Sequence, residues 1–184
     1  MTYEMRVAGL TRALPLCPIS DTLMIGAFVI FGDVELTCAC ARELLKIAPE
    51  FDYMVAPEAK AIPLIHEMAR QSGRNGYFLV RKAPKLYMDG VFEAVDRSIT
   101  TQGEQKLYMD GADAAKMKGR RILILDDVIS TGGSLAAVES LVDQAGGHVV
   151  GRMAILAEGD AAKRQDILFL ERLPLFDAQG RPLD

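Results

Sequence analysis

The amino-acid sequence predicts an α/β fold in which a central parallel sheet is flanked by helices. Short aliphatic runs such as 122–125 lack the polar alternation of a strand with one solvent face, so we expect them to lie between two helical layers. These runs alternate with longer segments of helical periodicity, which is typical of repeated strand-helix-strand units. Half of the 184 residues are hydrophobic, enough for one domain with a sizeable core.

The composition limits the classes of partner. A formal net charge of −4 argues against a surface that neutralises a nucleic-acid backbone. No apolar run approaches the roughly 20 residues of a membrane span, and the N-terminus lacks the pattern of a secretory signal. Cys17, Cys38 and Cys40 are predicted to be buried apolar groups in a reducing compartment. We therefore expect a cytoplasmic protein that binds neither nucleic acid nor membrane.

The first half of the chain supplies two predicted strands and two predicted helices. A strand at 27–31 is followed by a helix at 34–48, which Asp33 caps. The predicted core stripe of this helix consists of Val34, Cys38, Ala41 and Leu45. A second strand at 53–56 leads through a turn to a helix at 62–71.

The middle of the chain is predicted to add a third strand and an antiparallel ribbon. The third strand is the aliphatic run 76–80. The six residues Lys-Leu-Tyr-Met-Asp-Gly at 85–90 recur at 106–111, and each copy alternates with period two before an Asp-Gly turn signal. Both copies are therefore predicted as strands, with the polar segment 91–105 between them.

The most informative stretch follows this ribbon. The strand 122–125 ends at two carboxylates, Asp126 and Asp127. A loop of small and hydroxyl residues comes next: Ser130, Thr131, Gly132, Gly133 and Ser134. Apolar residues then repeat at helical spacing from Leu135 until Gly146. A strand, such a loop and a helix N-terminus form an anion site, because unpaired backbone N–H groups and the helix dipole meet there, so we expect a ligand with a phosphate.

The acid pair makes the predicted ligand more specific. A Walker loop would place a Lys after the glycine, and a dinucleotide fingerprint would need Gly-x-Gly-x-x-Gly, so this stretch is neither. Two carboxylates beside a phosphate site suit vicinal hydroxyls, which donate hydrogen bonds to them. A ribose 5-phosphate has both features. The alternative is an ordinary strand, turn and helix with acids on the surface.

The two ends of the chain are less readable. Residues 1–19 show no firm periodicity and are predicted to form an arm or part of a ligand cover. A strand is predicted at 149–156, and residues 157–160 follow its carboxyl edge, where open α/β sheets bind ligands. A short apolar run at 167–170 is predicted as an edge strand.

Residues 122–134 resemble the signature of the type I phosphoribosyltransferases, which bind phosphoribosyl pyrophosphate through two acids and a Thr-Gly-Gly-Ser/Thr loop. The resemblance implies a Rossmann-like core over about 27–170 and a small hood from about 1–26 and 171–184. It also implies a mobile loop at about 90–106 that closes over the substrate. Related enzymes are commonly dimers, so a homodimer is expected. Mg²⁺ is expected to be carried by the substrate, with no direct protein ligand.

The resemblance assigns roles to the residues above. Asp126 and Asp127 would contact the ribose hydroxyls and stabilise the positive charge that develops on the sugar, while 130–134 would bind the 5-phosphate. Val128 and Ile129 would pack beneath the purine base. The pyrophosphate would be held by a turn with a non-proline cis peptide at Glu58-Ala59 and by cations after the third strand. The residues assigned to it are Glu58, Ala59, Lys60, Arg81, Lys82 and Lys85.

The implied enzyme is a glycosyltransferase of purine salvage, and its base stays open between adenine and hypoxanthine. Adenine enzymes commonly have Glu-Ser-Arg-Gly at the pyrophosphate turn, whereas 58–61 is Glu-Ala-Lys-Ala. They also have a Glu beside Tyr-Gly in the mobile loop, which 100–103 lacks. Both regions look more like the archaeal-type hypoxanthine enzymes. The alternative function is a sensor on the same fold that binds phosphoribosyl pyrophosphate without catalysis.

Overall fold

A computed structural model of the chain describes residues 1–96 and 105–183. In chain order the elements are β1 (Thr2–Val7), β2 (Leu10–Pro18), β3 (Leu23–Gly26), α1 (Val34–Ile47), β4 (Tyr53–Pro57), α2 (Ile62–Gln71), β5 (Phe78–Val80), β6 (Phe92–Asp96), β7 (Gln105–Met109), α3 (Gly111–Met117), β8 (Arg121–Ile129), α4 (Gly133–Gln144), β9 (His148–Glu158), the 3₁₀ helix η1 (Gly159–Lys163), β10 (Leu168–Leu173), β11 (Leu175–Asp177) and β12 (Pro182–Leu183). No helix in these ranges is long and apolar enough to cross a lipid bilayer.

Five strands form a central sheet in the order β10-β9-β8-β4-β5. Every neighbouring pair in this sheet is parallel, so the carboxyl ends of all five strands meet at one edge. Helices lie against the sheet in two layers. The predicted α/β fold with a central parallel sheet is therefore confirmed.

The middle strand of this sheet is buried on both faces. Leu123 and Leu125 belong to the hydrophobic cluster that includes α1 and α2, whereas Ile122 and Ile124 belong to the cluster that includes α3, α4 and β7. Successive side chains of a strand point to opposite faces, so a strand between two helical layers needs an apolar residue at every position. This explains the unbroken aliphatic run at 122–125.

A second sheet is built from both ends of the chain, in the order β1-β2-β3-β11-β12, with antiparallel pairing throughout. Its third strand is Leu23–Gly26, so the strand predicted at 27–31 is wrong. Phe28 and Ile30 are buried while Val29 and Phe31 are exposed. This alternation imitates a strand, although beyond Ala27, whose N–H donates to a β2 carbonyl, the segment has left the sheet.

Helix α1 begins where it was predicted, but it buries a different face. The N–H of Leu36 donates to Asp33 Oδ1 at 3.0 Å, which confirms the predicted cap. Of the predicted core stripe only Ala41 is fully buried, and Val34 is 71 % exposed. The buried face consists of Leu36, Thr37, Ala39, Cys40, Ala41 and Leu44. The prediction that all three cysteines are buried is also wrong, because Cys17 is exposed and Cys38 only half-buried.

The two six-residue repeats do not form equivalent structures. The second copy contributes β7, which pairs antiparallel with β6, whereas residues 85–90 form turns, so the strand predicted for the first copy is wrong. The two Asp-Gly steps instead meet each other, because Gly111 N donates to Asp89 O at 2.9 Å. A Cβ on Gly111 would lie 2.6 Å from that oxygen, so this position requires glycine. Residues 97–104, within the predicted mobile loop, lie outside the described residues.

Helix α3 was not predicted from the sequence. Its N-cap is Asp110, whose Oδ1 accepts a hydrogen bond from Ala112 N at 3.0 Å. The second Asp-Gly step is therefore a helix start, although the same two residues are also a strong signal for a hairpin turn. The strands predicted at 53–56, 149–156 and 167–170 and the helix at 62–71 correspond to β4, β9, β10 and α2.

Candidate functional site

A cavity of about 400 Å³ opens at the carboxyl ends of the central strands. This is where open parallel sheets bind ligands, and its volume suits a small organic molecule. Three parts of the chain line it: the segment 25–29, the run 126–135, and four residues from elsewhere. Those four are Lys60, Lys82, Glu158 and Leu173.

The loop between β8 and α4 forms one end of the cavity. The residues that the sequence assigned to a phosphate site all line it: Ser130, Thr131, Gly132, Gly133 and Ser134. The chain turns at Gly132, whose φ of 82° is left-handed, and α4 begins at the next residue. Within the described residues no side chain caps this helix start, so its first N–H groups and its dipole suit an anion.

Arg164 lies against the same loop, and the sequence interpretation missed it. A Cβ on Gly132 would lie only 2.6 Å from Arg164 Nη1. The guanidinium is oriented by Asp166, with distances of 2.9 Å from Nε to Oδ1 and 2.6 Å from Nη2 to Oδ2. This hydrogen bonding lowers the pKa of Asp166 to about 2, so both partners are charged at neutral pH. Arg164 follows β9, and no local pattern connects it to a loop after β8.

The acid pair also lines the cavity, but not as surface residues after a strand. Strand β8 continues through both acids, pairing with β9 as far as Ile129, so the predicted strand end at 125 is wrong. Asp127 is only 3 % exposed, so it lies within the core and not beyond the end of the strand. Asp126 is half-buried, and its Oδ1 accepts a hydrogen bond from Asp127 N at 2.8 Å.

Asp126 and Asp127 differ in their electrostatic surroundings. Lys60 Nζ lies 2.8 Å from Asp127 Oδ2. That oxygen has no directed hydrogen bond within the described residues, so the contact is a close ion pair. Burial, followed by the charge of Asp127, raises the pKa of Asp126 well above its usual range. The site therefore holds one carboxylate with a cation beside it and one whose charged form is poorly stabilised without a ligand.

The turn after β4 supplies Lys60, and its backbone is unusual. The non-proline cis peptide implied at Glu58-Ala59 is present. Glu58 ties this turn to the end of β5, because Lys82 N donates to its Oε1 at 2.6 Å and Arg81 Nε lies 2.8 Å from its Oε2. Glu58 therefore positions the two cationic segments.

The residues assigned to pyrophosphate are only partly brought together. Lys60 and Lys82 line the cavity. Glu58 and Ala59 form the supporting turn behind them. Arg81 and Lys85 do not line the cavity: the Arg81 side chain is engaged by Glu58, and Lys85 lies in the turn structure that follows. Adjacent cations at a strand end point different ways, and the sequence alone does not tell which one faces a ligand.

The remaining cavity wall was not assigned from the sequence. Val128 and Ile129, the predicted purine-packing residues, line it together with an apolar segment whose members are Ile25, Gly26, Ala27, Phe28 and Val29. Glu158, the last residue of β9, completes this side. Burial raises the pKa of Glu158. The only signal in the sequence was its position at the carboxyl edge of a predicted strand.

A protein-built metal cage is not found in the ranges 1–96 and 105–183, where no three His, Cys, Asp or Glu side chains cluster closely enough to hold an ion. Mg²⁺ typically keeps several waters and binds through one or two carboxylates together with substrate phosphates. The pair Asp126 and Asp127 fits that limited role.

Comparison with known sequences gives consistent matches. A family model described as the phosphoribosyl transferase domain matches residues 39–176. An adenine phosphoribosyltransferase from Bifidobacterium longum (strain DJO10A) is 30% identical over 149 residues, covering 79% of this chain and 74% of the relative. One from Thermotoga petrophila is 39% identical over 109 residues, and the match spans 59% of this chain and 60% of that protein. A hypoxanthine/guanine phosphoribosyltransferase from Methanococcus voltae is 29% identical over 147 residues, covering 80% and 72%.

Solved structures share the fold. Adenine phosphoribosyltransferase from Thermoanaerobacter pseudethanolicus matches with a TM-score of 0.72 at 22% identity, covering 86% of this chain and 95% of that chain. The Giardia lamblia enzyme, solved in complex with 9-deazaadenine, matches with a TM-score of 0.64 at 19% identity, covering 94% and 93%. At these identities the likeness establishes the fold alone, with its central parallel sheet and additional antiparallel sheets.

Proposed function

The chain belongs to the phosphoribosyl transferase family, and on this premise we propose that it is a purine phosphoribosyltransferase of purine salvage. It transfers the phosphoribosyl group of phosphoribosyl pyrophosphate to a purine base and yields a nucleoside monophosphate and pyrophosphate. One observation carries the proposal: a single cavity brings together the loop 130–134, the acid pair and Lys60. The matched relatives are named as adenine or hypoxanthine/guanine transferases, and they give no support to the sensor alternative.

The strand order orients the donor in this cavity. The 5-phosphate lies at the loop after β8, and the ribose hydroxyls donate to Asp126 and Asp127. The pyrophosphate extends towards β4 and β5, where Lys60 and Lys82 face the cavity. The base lies on the opposite side of β8, against Val128 and the apolar segment 25–29. Nucleophile and leaving group thus lie on opposite sides of the anomeric carbon, as a displacement requires.

The protein contributes to this reaction mainly by stabilising charge and by orienting the two substrates. A ring nitrogen of the purine forms a bond to the anomeric carbon while the bond to pyrophosphate breaks, and the bonding electrons leave with the pyrophosphate. Positive charge develops on the sugar, as in glycoside hydrolysis. Carboxylates at Asp126 and Asp127 stabilise that charge, and Lys60 stabilises the negative charge of the departing group.

We further propose that Mg²⁺ enters with the substrate and would lie beside the carboxylates of Asp126 and Asp127. Its chemical contribution is to neutralise charge on the pyrophosphate. The assignments of Glu58, Ala59, Arg81 and Lys85 to the pyrophosphate region also remain part of the proposal, with Glu58 and Arg81 acting as supports.

We also propose a cytoplasmic homodimer. The free thiols of Cys17, Cys38 and Cys40 support a reducing compartment. Exposed apolar side chains at Phe31 and Val34, outside the cavity, support a contact surface between subunits. Sedimentation of the purified chain tests the oligomeric state.

A base panel tests the function. Purified protein is incubated with Mg²⁺, phosphoribosyl pyrophosphate and, separately, adenine, hypoxanthine, guanine, xanthine, uracil or orotate. We expect a nucleoside monophosphate and pyrophosphate from a purine and from neither pyrimidine. Binding of the sugar donor without product from any base would reject the transferase and support the sensor.

A further inference from the structure

Glu158 is an acidic side chain in the cavity that the mechanism above does not use. Within the ranges 1–96 and 105–183 its carboxylate has no hydrogen-bond or ion-pair partner, although it is half-buried. A polar group withdrawn from water without a partner is unfavourable, and a carboxylate more so. In a binding cavity, such a group indicates a ligand that donates hydrogen bonds.

The position of Glu158 identifies the part of the substrate it faces. The cations for pyrophosphate follow β4 and β5, on one side of β8, whereas Glu158 ends β9, on the other side. Val128 and Ile129 pair with Leu156 and Ala157, so Glu158 lies one residue beyond the purine-packing pair. A carboxylate repels phosphate oxygens, so the base, which is assigned to this side of β8, is the part of the substrate that Glu158 can bind.

The surroundings of Glu158 form an apolar slot. Its β10 neighbour is Leu173, and a Cβ placed on Gly26 would lie 3.2 Å from Leu173 Cδ1. Gly26 thus lies close to the β10 neighbour of Glu158, and the segment 25–29 and Val128 line the same cavity. These apolar side chains and one carboxylate in the same cavity match the usual make-up of a small-molecule site, in which a few polar groups fix the orientation of the ligand.

Resting on the proposed function, we propose that Glu158 is the specificity-determining residue for the base and that its carboxylate selects 6-aminopurines. An exocyclic amine at the 6-position donates a hydrogen bond to the carboxylate. A 6-oxopurine presents lone pairs at the same point, which the carboxylate repels. A site built around one such hydrogen bond discriminates strongly, because the wrong base leaves a buried polar group unpaired.

The raised pKa of Glu158 has burial as its main cause, with the positive charge of Lys60 acting in the opposite direction. The charged carboxylate is thus poorly solvated in the free protein, and an amine donor from the base restores a hydrogen bond that water no longer supplies. Lys60 itself contacts Asp127, so it leaves the Glu158 oxygens open to the base.

The test compares base selectivity in the wild type, Glu158→Gln and Glu158→Leu, with Glu171→Gln, an exposed acid on β10, as control. Values of kcat/KM are measured for adenine, unsubstituted purine and hypoxanthine at saturating phosphoribosyl pyrophosphate and Mg²⁺. We expect the wild type to prefer adenine over hypoxanthine and Glu158→Gln to narrow this ratio by roughly 10- to 100-fold, the range for one hydrogen bond to a charged group. Glu158→Leu should accept adenine and unsubstituted purine nearly equally.

The following outcomes distinguish a role in base selection from a structural role and from failure of the proposed function. The KM for phosphoribosyl pyrophosphate should stay unchanged in both Glu158 variants, since a merely structural defect would alter it. An unchanged adenine-to-hypoxanthine ratio in Glu158→Gln, or a wild type that prefers hypoxanthine, overturns the assignment while the transferase function stands. Absence of product from every base overturns the function itself. In that case calorimetric titration still measures the affinities of the wild type and of Glu158→Gln for adenine and hypoxanthine. An equal adenine-to-hypoxanthine affinity ratio in the two proteins would also reject the role of Glu158.

Discussion

Lys60 Nζ lies 2.8 Å from Asp127 Oδ2, so the turn after β4 supplies the countercharge for a buried carboxylate on β8. Asp127 is 3 % exposed, whereas the Lys60 side chain is 47% exposed and faces the cavity. The same ammonium group is therefore available to a phosphate ligand without leaving its carboxylate. Because the two residues come from adjacent strands, this ion pair joins the pyrophosphate side of the cavity to the ribose side.

Lys60→Gln is expected to weaken binding of phosphoribosyl pyrophosphate by roughly 10- to 100-fold, since a charge-assisted hydrogen bond contributes about 1.5–3 kcal/mol. Pyrophosphate alone should lose affinity by a similar factor, whereas ribose 5-phosphate should not. Calorimetric titration of the three ligands measures this. Lys118→Gln, at an exposed lysine outside the cavity, is the matched control. Equal affinities for pyrophosphate in Lys60→Gln and Lys118→Gln would exclude Lys60 from the leaving-group site.

Changing both Asp126 and Asp127 to Asn is expected to reduce kcat by roughly 10²- to 10³-fold, the effect of removing a preorganised electrostatic group. The fold should persist, because an Asn side chain has nearly the same volume as an Asp side chain. At position 126 its Oδ1 can still accept the hydrogen bond that the backbone N–H of residue 127 donates. Initial rates and thermal melting measure the two effects. Asp143→Asn, at an exposed position on α4, should leave both unchanged. A double variant that unfolds at 25 °C would mean that the pair is structural.

Asp126→Asn alone should show a pH-dependent gain in stability. The folded pKa of Asp126 is raised, so below the unfolded value near 3.8 both states are protonated and the carboxyl has no effect. As pH rises through the window between 3.8 and the raised pKa, the folded state holds its proton longer than the unfolded state, and wild-type stability falls. The amide of the Asp126→Asn variant does not titrate, so the stability of the variant does not fall in this pH window. Melting temperatures from pH 4 to 8 should therefore diverge in favour of the variant, and a difference that is constant with pH would contradict the assigned burial.

The best predicted part of the chain is the run from β8 to α4. Its buried strand, small-residue loop and periodic helix are local features of consecutive residues, and each one is decided by nearby sequence. Only the strand end was misplaced, because acids usually terminate a buried strand, whereas here Lys60 stabilises Asp127 inside it. That contact is long-range and leaves no local pattern.

The sheet built from both ends of the chain and the cations after β5 were harder to predict for the same reason. Met24 pairs with Phe176 from the other end of the chain, so β3 is determined by partners that local periodicity does not reveal. Arg81 and Lys82 are adjacent and chemically alike, yet Glu58 engages the first while the second lines the cavity. The contact between Glu58, after β4, and Arg81, after β5, leaves only Lys82 of the two cations facing the cavity.

Gly132→Ala and Gly73→Ala form a matched pair that isolates the role of the phosphate loop. Both glycines are left-handed, with φ of 82° and 69°, so alanine should reduce the free energy of unfolding by about 1–2 kcal/mol at either site. At Gly73 nothing lies within 4 Å of the added carbon, whereas at Gly132 it would lie 2.6 Å from Arg164 Nη1. Arg164 is flexible at its end and can move aside, so the stability losses should be similar.

Affinity for the 5-phosphate should nevertheless differ between these two variants. Gly132→Ala displaces the guanidinium that lies against the loop and alters the turn that presents the first N–H groups of α4, so affinity for the 5-phosphate should fall at least tenfold. Gly73→Ala, beyond the end of α2, should bind ribose 5-phosphate as the wild type does. Chemical denaturation and calorimetry of both variants check the two halves of the prediction. Equal loss of affinity in the two would show that general destabilisation, and not the geometry at Gly132, limits phosphate binding.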